Sequence, residues 1–171
     1  VMGYMGLGRN RNAQKLWDEA IEQFDYVAKL HSDYSSVYAF RAESYIGKRN
    51  WDKATDDIVT ALKIDSNDMA FYLMQDLEDA PFTMLKAKFQ IQAAKETNEG
   101  KWPYYLGIIH ERKEQYKQAV KYYEAANKRD ASAYNLERIA VCYERDGQYE
   151  NCLFTLDQAL NMEPQRMSLQ T

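Results

Sequence analysis

One pattern of apolar residues recurs five times along the chain. In its first copy a large residue, Trp17, is followed at offsets of 3, 7 and 10 by Ala20, Phe24 and Val27. The small residue at the second position recurs after steps of 34, 33, 32 and 33 residues. The other copies begin at Trp51, Met84, Tyr116 and Tyr149. The four residues of a copy are large, small, large and small in turn, and only Val27 is larger than this pattern requires. A fixed period in this range is the signature of a repeat array.

The spacing within each copy predicts helices. Offsets of 3, 7 and 10 place the four residues on one face of a helix, and no segment alternates with the period of two that a strand requires. The whole chain has only three prolines and seven glycines, which favours uninterrupted helices. Each period has room for two helices of about 13 residues with short joints, and short joints make neighbouring helices antiparallel. We therefore predict an all-α solenoid of helical hairpins.

The predicted organisation is a single array over residues 1–171. Its first helix is predicted to be weak because three glycines lie within the first eight residues, and its third unit is irregular. Since the chain begins at a repeat boundary without methionine and stops inside a predicted helix, we expect it to be a fragment of a longer protein. The units are 1–34, 35–68, 69–99, 100–132 and 133–166, and residues 167–171 begin a further helix.

The unit 133–166 carries residues whose types and spacing are typical of a known repeat family. It carries Leu136, Ala140, Tyr143, Gly147, Cys152, Ala159 and Pro164 at the spacing of the tetratricopeptide repeat (TPR) family, which the chain resembles over nearly its whole length. The family position of tyrosine is taken by Arg11 in the first unit and by His110 in the fourth, and the third has Gln75 and Asp76 at its Gly/Ala marker. The resemblance implies a right-handed superhelix of about five repeats, the first and third degenerate. It also implies a concave groove, lined by the first helix of each pair, that binds an extended peptide or a partner helix without catalysis.

Family position also predicts which residues face that groove: Glu43, Lys101, Tyr104, Ile108, Glu111, Tyr134, Glu137, Val141 and Glu144. Tyrosines are rigid, amphipathic anchors at recognition surfaces, although these could equally fill space between stacked helices. Four of the nine residues are glutamates and only one is a lysine, unlike the lysine–asparagine clamp with which some family members hold C-terminal carboxylates. A basic or neutral peptide is the predicted ligand.

Other residues that could carry chemistry are better explained structurally. His31 and His110 are far apart. Cys142 and Cys152 have no CxxC spacing and no paired histidine, and they fall at ordinary helix positions, which predicts buried free thiols. The pair Asp56 and Asp57 is predicted to lie on a solvated helix face, and Asp65 to Asn67 to cap a helix. We expect no catalytic residue, cofactor or metal.

Charge and hydropathy narrow the partners. A net charge of −4 disfavours nucleic acid as the main ligand, and no apolar run of about 18 residues predicts a membrane span. The predicted function is a protein interaction scaffold. Two alternatives stay open: a passive spacer or regulatory region of a larger enzyme, transport or secretion component, and self-association through the terminal faces of the array.

Overall fold

The computed structural model describes residues 1–162, which form ten α-helices and no strand. The prediction of an all-α fold is confirmed, while the further helix predicted at residues 167–171 lies outside the described residues. The helices are α1 (Met2–Ala13), α2 (Trp17–Leu30), α3 (Ser35–Gly47), α4 (Trp51–Ile64), α5 (Asp68–Asp76), α6 (Asp79–Lys95), α7 (Lys101–Arg112), α8 (Tyr116–Arg129), α9 (Ala133–Arg145) and α10 (Tyr149–Met162). They divide into two compact units, one spanning Val1–Lys88 and the other beginning at Phe89.

Four of the helical hairpins share one kind of turn. In each turn one residue has a left-handed backbone: Lys15 (φ 61°), Arg49 (φ 56°), Glu114 (φ 57°) and Gly147 (φ 74°). Around Lys15 the amides of residues 15 and 16 donate to the carbonyls of Asn12 and Arg11, both at 2.9 Å, and the other three turns repeat this pair of bonds. The pattern is a Schellman motif, which satisfies carbonyl groups at the helix end and reverses the chain. The short joints inferred from the sequence are therefore built the same way four times.

Small residues and glycines let the helices of a hairpin approach closely. Ala20 and Ala54 are fully buried at the repeated small positions. A Cβ on Gly8 would lie 2.5 Å from the ring of Phe24, and a Cβ on Gly107 would lie 2.5 Å from the ring of Tyr123. Gly8 thus packs against the large residue of the next helix, which explains why α1 accommodates a glycine at this position.

The hairpin of α5 and α6 departs from this pattern. Helix α5 ends at Asp76, Leu77 is extended, and Asp79 has a φ of 45°. Helix α5 has only nine residues, whereas α6 has 17. Pro81 lies in the first turn of α6, where its missing N–H is tolerated.

The register predicted for α6 is wrong. The predicted contact residues Ala87 and Ala94 are exposed, and Ile91 is 51% exposed. Leu85 and Phe89 are fully buried instead. The offsets of 3, 7 and 10 are kept when counting starts at Phe82, so the buried stripe is shifted by two residues towards the N-terminus.

A charged network joins three helices of the first unit. The guanidinium of Arg41 in α3 donates two hydrogen bonds of 2.8 Å to Asp57 in α4 and one of 2.6 Å to Asp25 in α2. These bonds, that to Asp57 foremost, raise the pKa of Arg41, so it stays charged. Asp57 is only 5% exposed, so the prediction that it lies on a solvated face is wrong. Its neighbour Asp56 is exposed and accepts a hydrogen bond from Lys88 at 2.6 Å.

In the second unit the core is aromatic. The ring of Trp102 packs 5.8 Å from Phe89 and 5.9 Å from Tyr105, and Trp102 is fully buried. Its indole N–H donates to Glu96, because a buried indole needs an acceptor. Over residues 1–162, none of the helices is long and apolar enough to cross a membrane.

Candidate functional site

One face of α9 presents four of the predicted groove residues. Tyr134, Glu137, Val141 and Glu144 follow one another at spacings of 3, 4 and 3 residues, which places them along one side of a helix. Tyr134 is 51% exposed, Glu137 and Val141 are half-buried, and Glu144 is exposed. The core side of α9, with Leu136 and Ile139, points the opposite way. We call this surface the α9 face.

Tyr104 supports this surface from α7. Its hydroxyl donates to the hydroxyl of Tyr134 at 3.1 Å, and the two ring centroids are 5.9 Å apart. The ring of Tyr104 also packs against Tyr105 and Tyr123, at 5.9 and 5.7 Å. Burial, and then the hydrogen bond with Tyr134, raises the pKa of Tyr104. It therefore remains a protonated donor that orients Tyr134.

Glu111 and Ile108 are not surface residues. Glu111 is 7% exposed and accepts hydrogen bonds from the hydroxyl of Tyr123, at 2.7 Å, and from the guanidinium of Arg138. Ile108 is 5% exposed and lies on α7 between Tyr104 and Glu111, both of which bond to α9. Side chains from α9 thus cross over this part of α7. The two residues are corrected from ligand contacts to structural ones.

Arg138 is the residue of the site that sequence reasoning missed. Its guanidinium lies 5.9 Å from the ring centroid of Tyr123 and forms an ion pair with Glu111. The Nε atom of Arg138 is buried and has no hydrogen-bond partner among the described residues. A signal was available, because Arg138 follows Tyr134 by four residues and so shares its helix face. The pair with Arg138 cancels the charge of the buried Glu111.

The two remaining predicted residues lie at the margin or elsewhere. The ammonium of Lys101 is 2.8 Å from the carboxylate of Glu99 and 5.2 Å from the ring centroid of Trp102. Glu43 belongs to the first compact unit, where it accepts a hydrogen bond of 2.8 Å from Asn12. The structure therefore brings Tyr104 and the α9 face together, with Lys101 on the same helix as Tyr104.

The groups judged structural from the sequence have structural partners. Both cysteines are free and buried, as predicted. His110 contacts Gln115 at 2.6 Å and stacks on Tyr122 at 5.1 Å, and the side chain of Asn67 caps α5 by accepting from the amide of Ala70 at 3.0 Å. Within residues 1–162 there is no group of three or more His, Cys, Asp or Glu side chains that could hold a metal ion.

Comparison with known families and structures identifies the repeats. The tetratricopeptide repeat model matches residues 104–132 and 133–166. Residues 104–166 are two tetratricopeptide repeats. The resemblance drawn from the sequence is thereby confirmed. No curated protein is similar enough in sequence to count as a relative.

Solved structures extend the shared fold to nearly the whole chain. YrrB, described as a TPR protein with an unusual peptide-binding site, is 18% identical with a TM-score of 0.52, covering 96% of this chain and 87% of its own. MamA is 17% identical with a TM-score of 0.54 and coverages of 99% and 95%. The TPR protein TTC0263 of Thermus thermophilus is 14% identical with a TM-score of 0.55 and coverages of 98% and 94%. At these identities the likeness is one of fold, that of a helical-repeat solenoid.

Proposed function

We propose that this TPR protein is a non-catalytic protein interaction scaffold and that its α9 face binds an extended peptide. The observation that supports this most is that Tyr134 is 51% exposed although Tyr104 holds its hydroxyl. An exposed aromatic ring that is already oriented loses little conformational freedom when a ligand covers it. Val141 lies two turns further along and extends the apolar part of the surface.

The charges of this surface favour a basic or neutral peptide. Glu111 is paired with Arg138, and Lys101 with Glu99. Glu144 is exposed and adds a negative charge to the face that carries Tyr134. Complementary charge raises the association rate and excludes ligands of the same sign. An acidic peptide is therefore expected to be rejected here.

The test is a positional-scanning library of fluorescein-labelled peptides read by fluorescence anisotropy. We expect peptides with lysine or arginine beside an apolar residue to bind, and Tyr134→Ala to weaken them about tenfold, as for a central aromatic contact. Glu137→Lys should weaken basic peptides more than neutral ones. Tyr72→Ala is the matched control, because Tyr72 on α5 is 71% exposed and lies outside the α9 face.

Three results would contradict the proposal. Equal effects of Tyr134→Ala and Tyr72→Ala would remove the binding site from the α9 face. Acidic peptides whose binding is lost with Tyr134→Ala would refute the charge argument. If no peptide in the library bound, the passive-spacer alternative would be favoured.

A further inference from the structure

A second surface of the same two repeats lies on the opposite side of α9. Helix α8 forms one wall of a trough and α9 forms its floor, and α10 forms the other wall along the larger of its two cavities. The trough consists of two cavities of about 420 and 320 Å³ that share Glu124 and Tyr143. These volumes are in the range of ligand sites, about 300–1,000 Å³. A cavity of about 420 Å³ holds a few side chains of a ligand but not a whole helix, which is about 10–12 Å across.

The larger cavity is apolar at its base and aromatic at its rim. Leu136 and Ile139 of α9 line it and are 8% and 4% exposed. Phe154 of α10 also lines it, yet this residue is 66% exposed. Ligand pockets are lined mainly by apolar and aromatic side chains, as this cavity is by Leu136, Ile139 and Phe154. The cavity therefore favours an aliphatic side chain as its occupant.

The wall formed by α8 is basic. Lys117, Lys121 and Lys128 line the trough at spacings of 4 and 7 residues, which places them on one stripe of the helix. All three are exposed, and within the described part of the chain none of them forms an ion pair. Glu124 and Asp146 also line the trough, which leaves it a net charge of +1 in a chain of −4. Three unpaired cations beside an apolar cavity suit carboxylates carried by a partly apolar ligand.

The opposite wall supplies groups for a peptide backbone. Asn151 and Gln158 of α10 line the larger cavity and are exposed. Amide side chains both donate and accept hydrogen bonds, as a peptide backbone requires. Nucleic acid fits less well, because Glu124 and Asp146 would repel a phosphate chain that meets only three lysines.

We propose that the trough binds an extended acidic peptide, with an aliphatic residue beside Phe154 and carboxylates along the lysine stripe. At 1.5 Å per helical residue the lysines are about 6 and 10.5 Å apart along α8. An extended chain advances about 3.3 Å per residue, so acidic residues two and then three positions apart match them. The motif is acid-x-acid-x-x-acid, with aliphatic residues at x. This site does not rest on the proposed function of the α9 face.

The probe is the capped, fluorescein-labelled peptide Glu-Leu-Glu-Leu-Ala-Glu, titrated with the full chain and read by fluorescence anisotropy. We expect binding to weaken at least fivefold with Phe154→Ala and to stay within twofold with Leu153→Ala. Leu153 is a matched control because it neighbours Phe154 on α10, is 68% exposed and does not line the trough.

A second pair of variants tests the charge. Lys128→Glu should weaken binding at least fivefold, whereas Lys29→Glu should have no effect. Lys29 is the thirteenth residue of the 14-residue helix α2, the position that Lys128 has in α8. Any effect of charge reversal near a helix C-terminus on stability is therefore the same in both, and circular dichroism at 222 nm checks that both remain folded.

Several results would overturn the proposal. One is the absence of binding to the unaltered chain at millimolar peptide, and another is equal effects of Phe154→Ala and Leu153→Ala. Loss of binding with Tyr134→Ala would assign the acidic peptide to the α9 face instead. Competition by a single-stranded oligothymidylate, with the same dependence on Lys128, would make the trough a nucleic-acid site.

Discussion

The close packing of Gly107 in α7 against Tyr123 in α8 predicts the effect of adding one methyl group. A Cβ at residue 107 would lie 2.5 Å from the Cδ1 and Cε1 atoms of Tyr123. Tyr123 cannot withdraw easily, because it is fully buried and its hydroxyl donates to Glu111 at 2.7 Å. Overpacking of this kind costs about 1–3 kcal/mol, while alanine gains about 1 kcal/mol over glycine in a helix. We expect Gly107→Ala to lower the free energy of unfolding by up to about 2 kcal/mol.

The matched control is Gly6→Ala in α1, where a Cβ would meet no atom within 4 Å. This variant should gain about 0.5–1 kcal/mol, because only the helix propensity changes. Urea unfolding followed at 222 nm measures both. The two variants should therefore differ by the overpacking cost alone.

A double-mutant cycle attributes the cost to one contact. In a Tyr123→Leu background the ring that residue 107 would meet is absent, so Gly107→Ala should cost less than in the unaltered chain. The reasoning is refuted if Gly107→Ala stabilises the protein as much as Gly6→Ala does. It is also refuted if the cost of Gly107→Ala is unchanged by Tyr123→Leu.

Three further predictions concern buried polar groups. Arg41→Ala should lower the free energy of unfolding by about 3–5 kcal/mol, because it leaves Asp57 buried without its cation. Asp25 lies at the exposed end of the network, so Asp25→Ala should lower it by less than about 1 kcal/mol. Chemical denaturation compares the two variants. Burial and the charge of Glu111 raise the pKa of Tyr123, so its stabilising effect is complete below the unfolded pKa of about 10 and is lost as the pH rises further. Tyrosinate absorbance at 295 nm should therefore show Tyr123 ionising only on unfolding, and early ionisation would contradict this. Burial raises the pKa of Cys142 to about 12, so in a Cys152→Ser variant the thiol should react with a disulfide reagent at pH 8 only after denaturant is added.

The helical hairpins were predictable because the residues that shape them are close in sequence. Ala119 and Ala126 are fully buried at the small positions of α8, and Tyr123 between them is buried as well. The spacing of these residues records which side of a helix must approach its neighbour. The turns were predicted only as short joints. Their left-handed residue is a glycine at residue 147 alone and is Lys15, Arg49 or Glu114 elsewhere, so composition gave no sign of the shared geometry.

The register of α6 shows where this local reasoning fails. The period of the repeat predicts Ala87 as the small residue of the third copy, since alanine occupies this position in most of the other copies. The buried residue is Leu85, and the departure begins before it, where Leu77 is extended and Asp79 adopts a left-handed backbone. A different turn rotates the helix that follows it. A pattern of residue sizes carries no information on that rotation unless the turn itself is recognised.

The sequence predicted on which side of each helix the candidate site residues lie, but not which of them are buried. Helical periodicity gives the side of α7 on which Tyr104, Ile108 and Glu111 lie. It does not say whether side chains of the next first helix cross over that side, which Tyr134 and Arg138 do. Glu111 was predicted to contact the ligand, but it is paired with Arg138 and supports the α9 face from below. Because that buried pair is neutral overall, the exposed Glu144 gives the α9 face its negative charge. The lysine stripe of α8 faces the trough, which lies on the other side of α9. Two repeats can thus offer opposite charge preferences on their two faces, which the net charge of the chain does not reveal.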